Sequence, residues 1–154
     1  MHPIVQHHIV NSLGWRELRP LQEEAIEPIL DGEHVLALAP TAGGKTEAAV
    51  FPILTQILAE PRPGLSTLYL CPLRALLNNL HIRLEQYAAF AGLRVGLWHG
   101  DIGSTVRRRI IEDPPEILLT TPESLEAMLL SVKTDHRQLL RNLRTVVVDE
   151  VHAF

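Results

Sequence analysis

The residues best suited to chemistry are Ala39-Pro40-Thr41-Ala42-Gly43-Gly44-Lys45-Thr46. Glycines let a backbone curl closely around a phosphate. The N–H groups at a helix start, with the helix dipole behind them, favour the negative charge. A lysine then reaches the outer phosphates and a hydroxyl ligates magnesium. Gly43, Gly44, Lys45 and Thr46 supply those parts, so the chemistry expected here is the binding of ATP with Mg. Ala39 stands where such loops usually open on glycine. A glycine-rich turn carrying a solvated lysine is the competing reading.

The second constellation is Thr145-Val146-Val147-Val148-Asp149-Glu150. A valine strand ending in two carboxylates suits a site that holds a cation. In the chemistry of phosphate loops, Asp149 would hold the magnesium together with Thr46. Glu150 would orient and deprotonate the attacking water. Without the phosphate loop, a strand simply reaching solvent explains the acids equally well.

Both constellations need strands that end, and helices that begin, at one edge of a sheet. Short apolar runs rich in Val, Leu and Ile occur at His34 to Leu38, Thr67 to Cys71, Arg94 to Trp98, Glu116 to Thr120 and Thr145 to Val148. They lack strict alternation, as expected of strands covered on both faces. Helical signals separate them. Pro20 to Leu30 opens on a first-turn proline. Gly44 to Ala59 follows the loop, with Pro52 requiring a kink or tight packing. Leu73 to Ala91 has apolar residues at helical spacing and Gly92 to end it. Thr121-Pro122 caps and opens a helix to about Leu130, and Asp135 to Leu143 forms a short last one. The alternation predicts an α/β fold with a mostly parallel sheet flanked by helices.

The chain has 154 residues and a net charge of −4, which neither requires nor forbids nucleic-acid binding through a local basic groove. Its one cysteine, Cys71, excludes an internal disulfide and fits a cytoplasmic setting. No run is apolar and long enough to span a bilayer, and no signal peptide is evident, so no membrane partner is expected.

The motifs and their order resemble the first RecA-like domain of superfamily 2 helicases, the DEAD/DEAH-box group, from about Leu13 to Phe154. The phosphate loop matches that group's, with Ala42 and Gly43 in place of its common Gly-Ser. Asp149-Glu150-Val151-His152 resembles the D-E-x-H box. Leu13 to Gln22, L-G-W-R-E-L-R-P-L-Q, resembles the adenine-reading Q motif, whose amide would be Gln22. The resemblance makes residues 1–154 a partial N-terminal ATP-binding domain, with 1–31 as its Q-motif-like segment. His152 resembles the residue that couples the nucleotide site to later motifs. Cys71-Pro72-Leu73-Arg74-Ala75-Leu76 resembles motif Ia, Thr120-Thr121-Pro122-Glu123-Ser124-Leu125 motif Ib, and Trp98-His99-Gly100-Asp101 the glycine turn between them. The resemblance implies nucleic-acid contacts by Pro72, Arg74, Gly100, Thr121, Pro122 and Ser124. Free N–H groups beside Thr121 and Ser124 would take backbone phosphate, and Arg74 would add charge. Glu123 replaces a glycine of the DEAD-box pattern, and no arginine follows Ser124. Together, W-H-G-D and T-T-P-E-S-L look more like the Lhr-like (large helicase-related) DNA helicases, which favours DNA over RNA.

Arg107, Arg108 and Arg109 read as a solvated helix face. His2, His7 and His8 lie in a terminus expected to be mobile, with no ligand set for a metal. Trp15 and Trp98 read as packing residues. The next family motif, a Ser/Thr-Ala-Thr turn, and the second RecA-like domain are not in the sequence. The strand leading to that motif lies centrally in related sheets. A downstream domain or a partner chain is therefore expected to complete the sheet. The isolated chain is expected to bind ATP weakly, hydrolyse it poorly and unwind nothing, since an arginine finger alone is worth about three to five powers of ten in rate. The alternative is a non-catalytic module of helicase-like fold that grips nucleic acid or a partner.

Overall fold

The computed structural model describes residues 1–40, 42–132 and 134–153. Two compact units divide the chain, Met1–Pro61 and Arg62–Phe154.

The described residues of the first unit form helices only. These are α1 (Pro3–Asn11), α2 (Pro20–Leu30) and α3 (Lys45–Ala59). The N-terminus is not the loose segment expected. His2 caps α1 through its ring, and the helix buries Val5 and Ile9. The His2 N–H also donates to the Thr55 hydroxyl on α3 at 3.2 Å. Helix α2 matches its predicted bounds, with Pro20 in the first turn. Helix α3 runs unbroken through Pro52, which is fully buried.

The predicted strand His34 to Leu38 is corrected. Residues 33–40 form no ladder, and Leu36 and Leu38 are 72% and 79% exposed. The sequence writes a strand for two covered faces, but a strand forms only against a neighbour that satisfies its N–H and C=O groups. The described residues of this unit offer none.

The second unit holds a four-stranded parallel sheet of order β2-β3-β1-β4. Its strands are β1 (Thr67–Leu70), β2 (Val95–Trp98), β3 (Ile117–Thr120) and β4 (Thr145–Val148). Between them run α4 (Arg74–Phe90), α5 (Ser104–Glu112), α6 (Pro122–Leu130) and α7 (His136–Leu139), the last shorter than expected. Strands β1 and β3 are central and buried on both faces. Leu68, Leu70 and Leu118 join Ile110, Met128 and Leu139 in one cluster. Tyr69 and Leu119 fall on the opposite face by strand alternation and are also buried.

β4 lies at one edge of this sheet. Val146 and Val148 pair in register with Leu68 and Leu70 yet are half exposed. An open parallel edge with uncovered valines agrees with the expectation of an incomplete sheet.

Candidate nucleotide and nucleic-acid sites

Gly44 is the N-cap of α3 and adopts φ 84°, a left-handed conformation that glycine takes without strain. Ala42 also has positive φ, 63°. The loop closes on itself by Gly43 N–H to the Pro40 carbonyl at 2.9 Å. Lys45 Nζ donates to the Ala39 carbonyl at 2.8 Å and to Pro40 at 3.3 Å. Phosphate oxygens would compete with these carbonyls for the same ammonium. Thr41 lies outside the described residues.

Gln22 is 1% exposed, and both ends of its amide are engaged. Its Oε1 accepts from Arg19 N–H at 3.0 Å, closing the first turn of α2. Its Nε2 donates to the Gly44 carbonyl at 3.4 Å. Arg19 adds a guanidinium bond to the Ala42 carbonyl. Arg19 and Gln22 therefore brace the phosphate loop from α2. Sequence reasoning missed Arg19; its position just before Pro20 in the Q-like segment was the available signal. It also missed Glu47, a buried carboxylate in the first turn of α3. Trp15 packs edge-on against Phe51 at 5.9 Å, a packing role as expected.

In the second unit, Asp149 follows β4 and its N–H donates to the Leu70 carbonyl at 2.8 Å. Its carboxylate is fixed from both sides. The Tyr69 hydroxyl donates to Oδ2 at 3.0 Å, and the Glu150 N–H donates to Oδ1 at 3.0 Å. Glu150 stands at φ 53°, a conformation that costs a non-glycine residue energy and is found at functional turns. The His152 imidazole lies 3.5 Å from the Glu150 carboxylate and is exposed. Burial pushes the Cys71 thiol up, the Leu73 backbone bond opposes it, and the charges of Asp149 and Glu150 add to the rise.

The loops after β1 and β2 meet on Arg74. Its Nη1 lies 3.1 and 3.2 Å from the two Asp101 oxygens. A Cβ on Gly100 would sit 2.9 Å from the same guanidinium, so a larger residue there would push the exposed Arg74 side chain aside. The Glu123 carboxylate is held below its ordinary range. Its own backbone N–H is the main cause, then Thr121, with Arg74 contributing charge. The Ser124 N–H donates to the Thr121 hydroxyl oxygen at 3.3 Å. The expectation of a free N–H at Ser124 is thus corrected: the Thr121 hydroxyl already accepts it. Pro72 lies between β1 and α4, and Pro122 opens α6.

Arg107 departs from the solvated face expected of it. It donates to the His99 and Gly100 carbonyls, each at 2.9 Å, and lies 5.7 Å over the Trp98 ring. His99 is buried and bonds Asn78 Oδ1 at 3.1 Å. Arg107 and His99 therefore fix the W-H-G-D turn. Arg108 pairs with Glu112 at 3.6 Å on the exposed face, as a solvated residue would.

The DEAD/DEAH box helicase family model matches residues 19–154. The chain belongs to the DEAD/DEAH-box helicases. It is 38% identical to the Lhr helicase/probable uracil glycosylase of Mycolicibacterium smegmatis, over 87% of this chain and 10% of that protein. It is 33% identical to the ATP-dependent helicase Lhr-Core of Methanocaldococcus jannaschii, over 90% of this chain and 18% of that protein. The structure of Mycobacterium smegmatis helicase Lhr bound to ssDNA and AMP-PNP superposes with a TM-score of 0.85 at 34% identity, covering 99% of this chain and 20% of that one. The resemblance to Lhr-like helicases and the RecA-like parallel sheet are thus both found. The chain spans about a tenth to a fifth of the length of these relatives.

Among the described residues, no group of three His, Cys, Asp or Glu could hold a metal ion by itself. No described helix is long and apolar enough to cross a membrane.

Proposed function

We propose that this DEAD/DEAH-box chain is the ATP-binding portion of a nucleic-acid motor that translocates on single-stranded DNA. The observation that carries the reading is the loop at the start of α3, where a left-handed Gly44 presents the helix N-terminus beside Lys45. Lys45 would exchange its bonds to the Ala39 and Pro40 carbonyls for the outer phosphates of ATP. Backbone N–H groups of Ala42, Gly43 and Gly44, within the loop of Ala39, Pro40 and Thr41, would take the remaining charge. Gln22 would give up its long bond to Gly44 and offer its amide to the adenine edge.

A magnesium ion suits a hydroxyl, a carboxylate and phosphate oxygens. Thr46 and Asp149 would hold it, and when bound it neutralises charge on the transferring phosphate. Tyr69 and the Glu150 N–H keep the Asp149 carboxylate in one orientation. Glu150 would remove the proton of the attacking water, and His152 at its carboxylate would sense that event.

Arg74, Gly100, Pro72, Thr121, Pro122 and Ser124 would grip the nucleic-acid backbone without reading bases. The bound ssDNA and AMP-PNP of the smegmatis relative support DNA and ATP as the ligand classes. Residues 1–31 would act as the Q-motif segment of the domain spanning 1–154. A further domain or partner chain would complete the sheet and supply arginine to the transition state. The protein would work in the cytoplasm, and the 154-residue chain alone would turn over poorly.

The test is ATPase activity of the full-length gene product with and without single-stranded DNA, beside Lys45→Ala and Glu150→Gln. Both substitutions should abolish the stimulated rate. Stimulated turnover intact in both would overturn the assignment.

A further inference from the structure

Arg74, the charged residue among the positions read here as nucleic-acid contacts, is occupied by one of the protein's own carboxylates. Asp101 places both oxygens on Arg74, at 3.1 and 3.2 Å. The charge of Arg74 also contributes to holding the Glu123 carboxylate, on α6, below its ordinary range, after its own backbone N–H and Thr121. A carboxylate and a phosphate compete for the same guanidinium, because both present paired anionic oxygens to its planar donors.

The pair is built to exchange. Side chains of Arg74 and Asp101 are 57% and 69% exposed, so solvent can replace either partner without opening the core. The turn beneath it is rigid by contrast. Arg107 clamps the His99 and Gly100 carbonyls, and the Asp101 N–H bonds His99 Nδ1 at 3.3 Å. A fixed backbone thus carries a displaceable carboxylate. Resting on the nucleic-acid reading of this edge, we propose that Asp101 is a built-in competitor that occupies Arg74 until a backbone phosphate displaces it. Asp101 sets the affinity of the Ia-like loop for nucleic acid rather than contributing to it. It also disfavours weak contacts, because every ligand must first replace the internal ion pair.

The experiment uses the full-length gene product and a fluorescently labelled single-stranded oligodeoxythymidylate, with anisotropy titrations across a salt series. Asp101→Asn should tighten binding by about two- to fivefold, the range an exposed ion pair supports. It should also steepen the salt dependence, since no internal anion is freed when phosphate arrives. Arg74→Ala should weaken binding, and Asp101→Asn should have no effect in the Arg74→Ala background. If Arg74→Ala weakens binding but Asp101→Asn does not tighten it, the competitor role fails while the nucleic-acid reading stands. Equal tightening with and without Arg74 would show a general charge effect and would also overturn the proposal. If neither substitution changes binding, the nucleic-acid reading of this edge fails, and the proposal with it.

Discussion

Replacing Gln22 by alanine should cost the chain about 2–3 kcal/mol of folding stability. Three contributions enter. The bond from Arg19 N–H to Gln22 Oε1, at 3.0 Å, closes the first turn of α2. Losing such a cap costs about 0.5–2 kcal/mol. Removing the buried Cγ methylene costs about 0.8 kcal/mol more. The bond to the Gly44 carbonyl, at 3.4 Å, adds only about 0.5 kcal/mol, because Ala48 N–H also serves that carbonyl at 3.0 Å. Chemical denaturation of the nucleotide-free protein, followed by circular dichroism, measures the sum. The same variant should lose its preference for ATP over GTP in equilibrium binding. A stability change under about 0.5 kcal/mol would refute the bracing role, since typical surface substitutions fall within that range. A full stability loss with ATP preference intact would leave Gln22 as a brace alone.

Gly44→Ala should reduce ATP affinity more than tenfold, because its Cβ would meet Gln22 Nε2 at 2.5 Å in a left-handed backbone; isothermal titration reads it, and unchanged affinity would contradict the loop geometry. Tyr69→Phe removes the hydroxyl on Asp149 and should raise the magnesium concentration for half-maximal ATPase several-fold, at a stability cost of about 0.5–1.5 kcal/mol. The Cys71 thiol has its pKa raised above the ordinary 9.0, so it favours the folded state fully below that pH and loses this contribution as pH rises through the folded value. Cys71→Ser should flatten the alkaline part of the stability profile, as pH-dependent denaturation would show.

Helix bounds were largely legible because their signals are local. Pro20, Gly92 and Thr121-Pro122 mark ends that the structure reproduces within about a residue, the ordinary scatter of such boundaries. The central strands were legible as continuous apolar runs. His34 to Leu38 has the same pattern but no ladder, because strand formation depends on a neighbour that composition cannot display. The candidate nucleotide residues stood out by their types and spacing. Their second partners were not. Arg19 on Ala42, Tyr69 on Asp149 and Arg107 on the Gly100 turn join residues 23, 80 and 7 positions apart through side-chain reach. Glu123 stood out in the sequence as a departure from the glycine of the DEAD-box pattern. The cap that occupies the helix start where phosphate was expected, Ser124 N–H on the Thr121 hydroxyl, became visible only in the structure.

The central claim is that the loop before α3 holds the phosphates of ATP through Lys45. Equilibrium binding of a non-hydrolysable ATP analogue with magnesium, compared between the native protein and Lys45→Ala, tests it most directly. A charge-assisted bond worth about 1.5–3 kcal/mol predicts a loss of roughly ten- to a hundredfold in affinity, with the fold intact by circular dichroism. Equal affinity in the two proteins would contradict the account.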